Sequence, residues 1–194
     1  MRPEARPPGR PRDPALREAI LAAARDLLDE GGLPAVTMEA IARRAGVGKP
    51  TIYRHWPNAP AVAMAAFLET ATPPVAEGLP GRPLEDLRRQ LAAIAAAFAA
   101  RTGRNVKAMI AATQGETELA KAFRNQFVAA SRAEGKALLM RAVATGEIRA
   151  EVDLEVAVDL IYGPIYYRLL VGHAPLDREF TDRLLREVLT GLAP

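Results

Sequence analysis

The sequence predicts an all-α protein with an N-terminal three-helix domain, a larger C-terminal helical domain and about nine helices in total. Apolar residues recur three and four positions apart along most of the chain, which is the period of an amphipathic helix. Glycine and proline separate these periodic segments, as they do at helix ends. No segment of convincing length alternates with period two, and no internal repeat is present.

The composition limits the classes of protein to which this chain can belong. A chain of 194 residues with 49% hydrophobic residues can bury a core. No apolar run reaches the roughly 18 residues that span a bilayer, and the N-terminus does not resemble a signal peptide. The absence of cysteine excludes disulfides and thiolate metal sites. We therefore expect a soluble, cytoplasmic protein.

The positive charge is concentrated near the N-terminus. The formal net charge is +3, with 10 Lys/Arg against 7 Asp/Glu in residues 1–60 and 16 against 16 in residues 61–194. Residues 1–13 are rich in Arg and Pro, and we expect a disordered basic arm there. Such an arm is either a nucleic-acid contact or merely a solvated tail.

Residues 14–58 predict a helix-turn-helix domain. The first helix begins at Asp13-Pro14, an N-cap followed by proline in the first turn. Thr37 caps the second helix, and Gly46 supplies a left-handed turn. The third helix runs from about Gly48 to a stop at Pro57. Two short helices joined by a glycine turn are typical of this motif.

Residues 59–194 predict the second domain. Asn58 caps a fourth helix that ends near residue 72, and a Pro/Gly-rich loop covers roughly 73–83. Five further helices are expected at about 84–101, 105–113, 117–145, from the Asp153 cap to about residue 170, and 177–191.

The third helix has the side chains for reading DNA. Ile52 and Trp56 are four residues apart and face inward, which leaves polar side chains on the outer surface. Lys49 can donate to guanine, Pro50 and Thr51 can pack on a thymine methyl, and Glu39 can accept from cytosine. Tyr53 and His55 suit phosphates. The alternative is an ordinary polar helix. The full candidate DNA-binding set is Arg10, Arg12, Thr37, Glu39, Arg44, Lys49, Pro50, Thr51, Tyr53, Arg54 and His55.

Residues 14–68 resemble the DNA-binding domain of the TetR/AcrR family of transcriptional regulators. The resemblance is carried by Thr37, Ile41-Ala42, Ala45-Gly46-Val47, the run from Gly48 to Pro57, and Phe67. It implies a homodimer that binds a palindromic operator, usually as a repressor released by a small ligand. It also implies that Lys49, Pro50 and Thr51 face bases, and that Thr37, Tyr53 and His55 face phosphates.

Two residues depart from the family pattern. Many members have a lysine that meets a phosphate where this chain has Ala59, so one electrostatic contact is missing. Gly48 stands where serine is common as an N-cap, which costs only a few tenths of a kcal/mol. In the arm, Gly9-Arg10-Pro11-Arg12 resembles the core of minor-groove AT-hooks, with Pro8 in the place of the first arginine.

The second domain is expected to bind a ligand and to dimerise. The candidate ligand-binding residues are apolar or aromatic, although each could equally be plain core: Leu91, Phe98, Met109, Phe123, Phe127, Tyr162 and Tyr166. The candidate dimer interface lies on the last two helices, whose apolar faces could instead point inward within one subunit: Ile161, Ile165, Leu169, Leu184, Leu185 and Val188.

Catalysis is not expected. A phosphate-binding loop would need glycine at position 43 and Ser/Thr at position 50, where the chain has Arg43 and Pro50. No cofactor or metal is expected, because His55 and His173 have no partners at metal spacing. The predicted function is a homodimeric DNA-binding repressor with a small, largely apolar effector and no membrane partner. The alternative is a helical small-molecule-binding protein that has lost specific DNA binding.

Overall fold

The computed structural model describes residues 14–71 and 82–192. Within these ranges the chain forms ten α-helical segments and no β-strand. Two of the segments are joined by a π-helical segment into one continuous helix, so the all-α fold with about nine helices is confirmed. Residues 1–13 and most of the predicted Pro/Gly-rich loop lie outside the described residues. The chain divides into two compact units, the first ending at Ala63 and the second beginning at Met64. This division lies within the fourth helix, five residues beyond the domain boundary that the sequence suggested.

The first unit is built from three helices and the start of a fourth. In chain order these are α1 (Pro14–Gly31), a 3-10 turn (Leu33–Ala35), α2 (Met38–Ala45), α3 (Lys49–Tyr53) and α4 (Ala59–Ala71). Its core is aliphatic: Ile20, Leu21 and Ala24 of α1 are fully buried with Ile41 of α2 and Ile52 of α3.

The second unit contains the rest of α4 and the remaining helices. These are α5 (Pro83–Ala99), α6 (Arg101–Ala112), α7 (Glu118–Ala122), a π-helical segment (Phe123–Val128), α8 (Ala129–Ala144), α9 (Leu154–Val171) and α10 (Arg178–Leu192). Helix α5 lies centrally in this unit, because it packs against α6, α8, α9 and α10. No described helix is both long and apolar enough to cross a membrane.

The predicted helix over 117–145 is continuous but not uniform. Thr117 caps it by accepting a hydrogen bond from the backbone N–H of Ala120 at 3.1 Å. Between α7 and α8 the backbone stays helical and passes through six residues with π-type bonding. Periodicity did not predict this change, since a π segment has no strong local signature. Segments of this kind are rare and often mark functional sites.

Helix α6 begins four residues earlier than predicted. Only Ala100 separates it from α5, so Gly103 lies inside a helix. A Cβ at position 103 would lie 1.8 Å from the carbonyl oxygen of Phe98. Glycine at this position therefore permits the close approach of the two helices, a packing requirement that helical spacing does not reveal.

Two carboxylates link helices within the second unit. Asp86 of α5 is 7% exposed and accepts from Arg89 at 2.5 Å and from Arg141 of α8 at 3.2 Å. Asp182 of α10 accepts two hydrogen bonds from Arg88 of α5, at 2.8 and 3.0 Å. Paired hydrogen bonds of this kind fix orientation as well as charge.

Candidate nucleic-acid interface

The turn between α2 and α3 has the geometry that the sequence predicted. Thr37 caps α2 by accepting from the Ala40 N–H at 3.1 Å. Gly46 ends α2 in the left-handed region with φ 66° and ψ 31°, where a side chain would be strained. Gly48 begins α3 with extended backbone and no side-chain cap. These residues place the first turn of α3 close to the first turn of α2.

Two apolar side chains hold α3 against the first unit. Ile52 is fully buried and Trp56 is 8% exposed, which confirms that both face inward. The guanidinium of Arg17 lies over the Trp56 ring, 5.8 Å from its centre, and the His55 ring lies 5.4 Å away. With one face fixed in this way, α3 presents its other face outward.

Most of the predicted DNA-binding residues lie on the outward face of α3 and the turn that directly follows it. Lys49, Pro50, Tyr53 and Arg54 are exposed, Tyr53 by 54%, whereas Thr51 and His55 are partly buried. In the neighbouring helix and its cap, Thr37, Glu39 and Arg44 are also exposed. The structure thus presents these side chains on the first unit, while Arg10 and Arg12 lie outside the described residues.

Lys49 and Glu39 form an ion pair between α3 and α2. The Lys49 Nζ lies 2.7 Å from Glu39 Oε1, and both side chains are about half exposed or more, at 49% and 65%. The hydrogen bond from Lys49 lowers the pKa of Glu39, and the same bond raises the pKa of Lys49. Both groups therefore stay charged over a wider pH range than they would alone.

Two other candidate residues have partners within the first unit. Arg44 lies 2.7 Å from Glu30 of α1, and this hydrogen bond lowers the pKa of Glu30. Arg54 donates to the Thr51 hydroxyl at 3.0 Å, three residues earlier in the chain. Contact with DNA through Arg44 or Arg54 would exchange these internal bonds for bonds to phosphate.

Sequence reasoning did not predict any of these three pairings. Glu39 and Lys49 are ten residues apart and belong to different helices, so the spacing rules within one helix do not connect them. The available signal was the predicted turn itself, which brings the starts of two consecutive helices together. The ion pair between the opposite charges at those two helix starts can be predicted only when the geometry of the turn is known.

The candidate ligand-binding residues lie in two groups in the second unit. Phe123 and Phe127 of the π segment are buried and have ring centres 5.2 Å apart, and both contact Phe67 of α4. Phe98 meets Tyr166 edge to face at 5.5 Å. Leu91, Met109 and Tyr162 are buried as well. Six of the seven candidates are buried core residues and Tyr166 is partly buried, so their role in ligand binding stays a prediction.

Hydrogen bonds connect three polar side chains in the second unit. The Tyr162 hydroxyl donates to Gln90 Oε1 at 2.5 Å, and Gln90 Nε2 donates to Glu134 at 3.3 Å. Burial, and then the charge of Glu134, raise the pKa of Tyr162. Burial raises the pKa of Tyr166 to about 12. Both phenols are therefore neutral hydrogen-bond donors at physiological pH.

A cleft of about 360 Å³ lies elsewhere in the second unit, near the start of α5. None of the candidate ligand-binding residues lines it. Its walls mix charged and aliphatic side chains from α5, α10 and the loop after α8: Arg82, Leu84, Glu85, Arg88, Glu147, Leu185 and Leu189.

The candidate dimer residues need a correction. Ile161, Ile165, Leu169 and Leu185 are at most 5% exposed in the single chain, because they pack inside the second unit. They form its core and are not presented to a partner; Leu184 and Val188 are partly buried. The outer surface of α9 is apolar instead, through a stripe of exposed residues that we call the α9 stripe: Val156, Leu160, Tyr167, Leu170 and Val171.

No metal centre is visible among the described residues. In residues 14–71 and 82–192, no group of three or more His, Asp or Glu side chains is arranged to hold a metal ion. The distinctive features of the first unit are the Gly46 turn, the exposed face of α3, and the cationic and hydroxyl side chains on that face.

Two family models match the chain, one over each part. Residues 20–59 match the model described as bacterial regulatory proteins, tetR family. Residues 80–188 match the model described as tetracyclin repressor-like, C-terminal domain. The first match contains the whole turn and all of α2 and α3, and the second contains the described helices from α5 to α9 and most of α10.

The chain is similar to known proteins along nearly its whole length. It is 40% identical to the uncharacterized HTH-type transcriptional regulator YdeS of Bacillus subtilis (strain 168), over 95% of this chain and 93% of that protein. It is 34% identical to the TetR family transcription regulator SCO0332, with a TM-score of 0.71 over 92% of this chain and 99% of that structure. A structure of a SmeT–triclosan complex has the same fold, with 20% identity and a TM-score of 0.68 over 93% and 92% of the two chains.

The fold and the exposed face of α3 define a helix-turn-helix DNA-binding protein. The matched family models and relatives make the assignment narrower: the chain belongs to the TetR family of transcriptional regulators. The resemblance noted in the sequence is thereby confirmed. The alternative of a helical protein without specific DNA binding is not favoured, because the recognition helix is present and exposed.

Proposed function

We propose that this DNA-binding regulator works as a homodimeric repressor of a palindromic operator and is released by a small, largely apolar effector. The exposed face of α3 is the observation that supports the DNA side of this proposal most directly. Its cationic and hydroxyl side chains are what a major-groove helix needs for phosphates and base edges. The relatives named above are transcriptional regulators, so we infer no catalytic reaction for the chain. We also infer that it acts in the cytoplasm, where a bacterial operator is found.

In the proposed complex α3 enters the major groove and its residues divide into two roles. Lys49, Pro50 and Thr51, at the start of the helix, read bases. Tyr53 and His55 contact phosphates, together with Thr37 at the start of α2. The Thr37 hydroxyl accepts from Ala40, and its own proton can then donate to a phosphate oxygen. Arg44 and Arg54 add charge at the edge of this face.

Binding to the promoter upstream of the gene that encodes this chain tests the proposal. In a gel-shift titration, the wild-type chain should bind that fragment at nanomolar concentrations and bind a scrambled fragment at least 10³ times more weakly. Equal affinity for both fragments would mean that the chain does not recognise an operator there. Reporter expression with and without the chain then separates repression from activation.

We propose that the second copy packs on the α9 stripe. Its residues recur at helical spacing on one face of α9, and the side chains are 48–60% exposed. A two-fold interface uses the same patch on both subunits, so an apolar stripe facing its own copy buries apolar surface twice. Leu184 and Val188 of α10, which are partly buried, would extend the contact. The dimer sets the spacing of the two recognition helices, about 34–36 Å for half-sites one turn apart.

We propose an effector of moderate size that enters the aromatic core of the second unit. Its walls would come from Phe98, Phe123, Phe127 and Tyr166, which are apolar apart from one neutral phenol. The SmeT structure with the same fold was solved as a complex with triclosan, which shows that a protein of this fold can hold a small molecule. Effector bound to a conformation with the wrong spacing of recognition helices would lower operator affinity by population shift.

Thermal unfolding against a compound panel tests the effector proposal. A compound present at 100 times its Kd stabilises the folded state by about 2.7 kcal/mol, which raises Tm by about 5–10 °C for a chain of this length. Phe127→Ala should abolish the shift caused by that compound, whereas Met140→Ala, a change at an exposed residue of α8, should leave it intact. A shift that is the same in both variants would place the compound elsewhere.

A further inference from the structure

The ion pair between Lys49 and Glu39 joins two residues that both face the proposed groove. The Nζ of Lys49 and Oε1 of Glu39 are 2.7 Å apart at the surface of the first unit. Each comes from the first turn of its helix, α3 and α2, so the two backbone positions are fixed by the Gly46 turn. A donor and an acceptor are thus held side by side on the face that meets DNA.

The major-groove edge of a G·C base pair has the complementary arrangement. Guanine presents the acceptors N7 and O6, and the paired cytosine presents the donor N4. O6 and N4 are hydrogen-bonded to each other at about 2.9 Å, which is close to the separation of Nζ and Oε1. Lysine has three N–H donors and a carboxylate can accept several bonds. The pair can therefore stay closed while Nζ donates to guanine and the carboxylate accepts from cytosine.

The other base pairs fit this arrangement less well. C·G and A·T pairs place a donor where Lys49 needs an acceptor. A T·A pair does place O4 beside N6, but it also brings the thymine methyl against the ammonium and the adenine N7 lone pair against the carboxylate. Only G·C, with guanine under Lys49, offers matching groups to both side chains without such a conflict.

We propose that Lys49 and Glu39 act as one reading unit that selects a single G·C base pair in each half-site. This proposal rests on operator binding through α3. Pairing also explains how an acidic residue can lie at a DNA interface. The adjacent ammonium offsets the repulsion between the carboxylate and the phosphates, and the carboxylate then serves as the acceptor that cytosine requires. The expected discrimination at that position is about 5- to 150-fold, the range for a good bidentate contact.

Reversing the pair tests the proposal. A variant with both Glu39→Lys and Lys49→Glu keeps the net charge and the ion pair but exchanges donor and acceptor. Binding-site selection from a randomised oligonucleotide pool, with the wild-type and reversed chains, should return operators that differ at one position per half-site. There the preferred base pair should change from G·C to C·G, while the other positions stay the same. Selection of the wild-type base pair by the reversed chain, or of no base pair at that position, would overturn the proposal.

A double-mutant cycle gives the answer even if the reversed chain binds DNA poorly. Glu39→Gln, Lys49→Met and the double variant are titrated on the selected operator and on one with A·T at the critical position. The quantity compared is the ratio of a variant's affinities for the two operators. If Lys49 and Glu39 act as one unit, this ratio should fall no further in the double variant than in either single variant. A fall in the double variant equal to the product of the two single-variant falls would contradict the proposal. If the wild-type chain enriches no sequence at all, operator recognition itself fails, and the wild-type selection alone reveals that.

Discussion

Short polar side chains set the helix boundaries in this protein. Thr37, Asn58 and Asp153 each accept a hydrogen bond from a backbone N–H in the first turn of the helix that follows. All three were predicted as caps, because an oxygen acceptor before a helical pattern is a purely local signal. The same locality holds for Gly46, whose positive φ ends α2. These residues act with their chain neighbours alone, and the sequence is sufficient to find them.

At the residue scale, Lys49→Ala and Tyr53→Phe should have different effects on DNA binding. Lys49 is proposed to contact a base, so its loss should relax sequence preference and cost about 1–3 kcal/mol on the preferred operator. Tyr53 is proposed to donate to a phosphate, so its loss should weaken binding evenly across sequences. Titrations of both variants on preferred and substituted operators measure the two effects. The same pattern in both variants would contradict the assigned division of roles.

Residue roles that depend on a distant partner could not be predicted in this way. Glu39 and Lys49 were each predicted as separate DNA contacts, but the structure joins them. Ile161 and Ile165 were predicted to face a partner, although they are fully buried in their own subunit. Helical spacing shows that residues share a face, but not which neighbour covers that face. The fold class and the residues of α3 were therefore predictable, whereas their pairings were not.

At the scale of elements, α9 packs one face inside its own subunit, and its opposite face is about half exposed to solvent. The buried face contains Ile161, Ile165 and Leu169, and the opposite face is the α9 stripe. Both faces are apolar, which is why composition alone did not separate them. Such a helix fits the interior of a bundle better than a surface, in agreement with a proposed four-helix interface between two copies.

Leu160→Glu should convert the proposed dimer into monomers. Leu160 is 50% exposed in the α9 stripe, and the two-fold axis would bring two new carboxylates into an apolar contact. We expect the dimer dissociation constant to rise at least tenfold, as measured by light scattering over a dilution series. Met140→Glu is the matched control, since Met140 is 59% exposed on α8 and lies outside the stripe. A wild-type chain that is monomeric at micromolar concentration would contradict the dimer.

The contact of α5 with α10 should make stability depend on pH. Hydrogen bonds from Arg88 lower the pKa of Asp182 below the ordinary value of an aspartate side chain. Because the folded-state pKa lies below the unfolded one, the contact stabilises the protein above about pH 4 and this stabilisation is lost as the pH falls further. Asp182→Asn should therefore lower Tm at pH 7. The difference in Tm between this variant and the wild-type chain should become smaller at pH 2–3.

The control for this prediction lies on the same helix. Glu179 pairs with Arg183 one turn away, and both side chains are more than half exposed at 76% and 53%. Exposed pairs of this kind contribute little, so Glu179→Gln should change Tm by less than one degree at either pH. A gap between wild type and Asp182→Asn that stays constant with pH would show that Asp182 acts through packing alone.

At the scale of the whole molecule, charge is distributed unevenly along the chain. Residues 61–194 are balanced, and the net positive charge belongs entirely to residues 1–60. Ala59 removes one cation that many family members place beside DNA, whereas residues 2–12 supply four arginines. We predict that part of the electrostatic affinity for DNA comes from this N-terminal segment.

Deletion of residues 2–12 should weaken operator binding and reduce its dependence on salt. Each phosphate contact that is lost lowers the slope of log Kd against log salt by about 0.9. Gel-shift titrations from 50 to 200 mM salt measure this slope for the full and shortened chains. An unchanged slope would show that the arginines of the segment do not contact the duplex.

The π-helical segment has a consequence for the comparison of sequences. A π turn accommodates about one residue more than an α turn, so side chains after Val128 are displaced around the helix axis by about 100° relative to a straight α-helix. A relative whose corresponding helix is α-helical throughout should match this chain only if one residue is skipped between positions 123 and 128. An ungapped alignment would pair its core positions with exposed positions of α8. The segment thus changes which side chains of α8 face the core while the helix stays continuous.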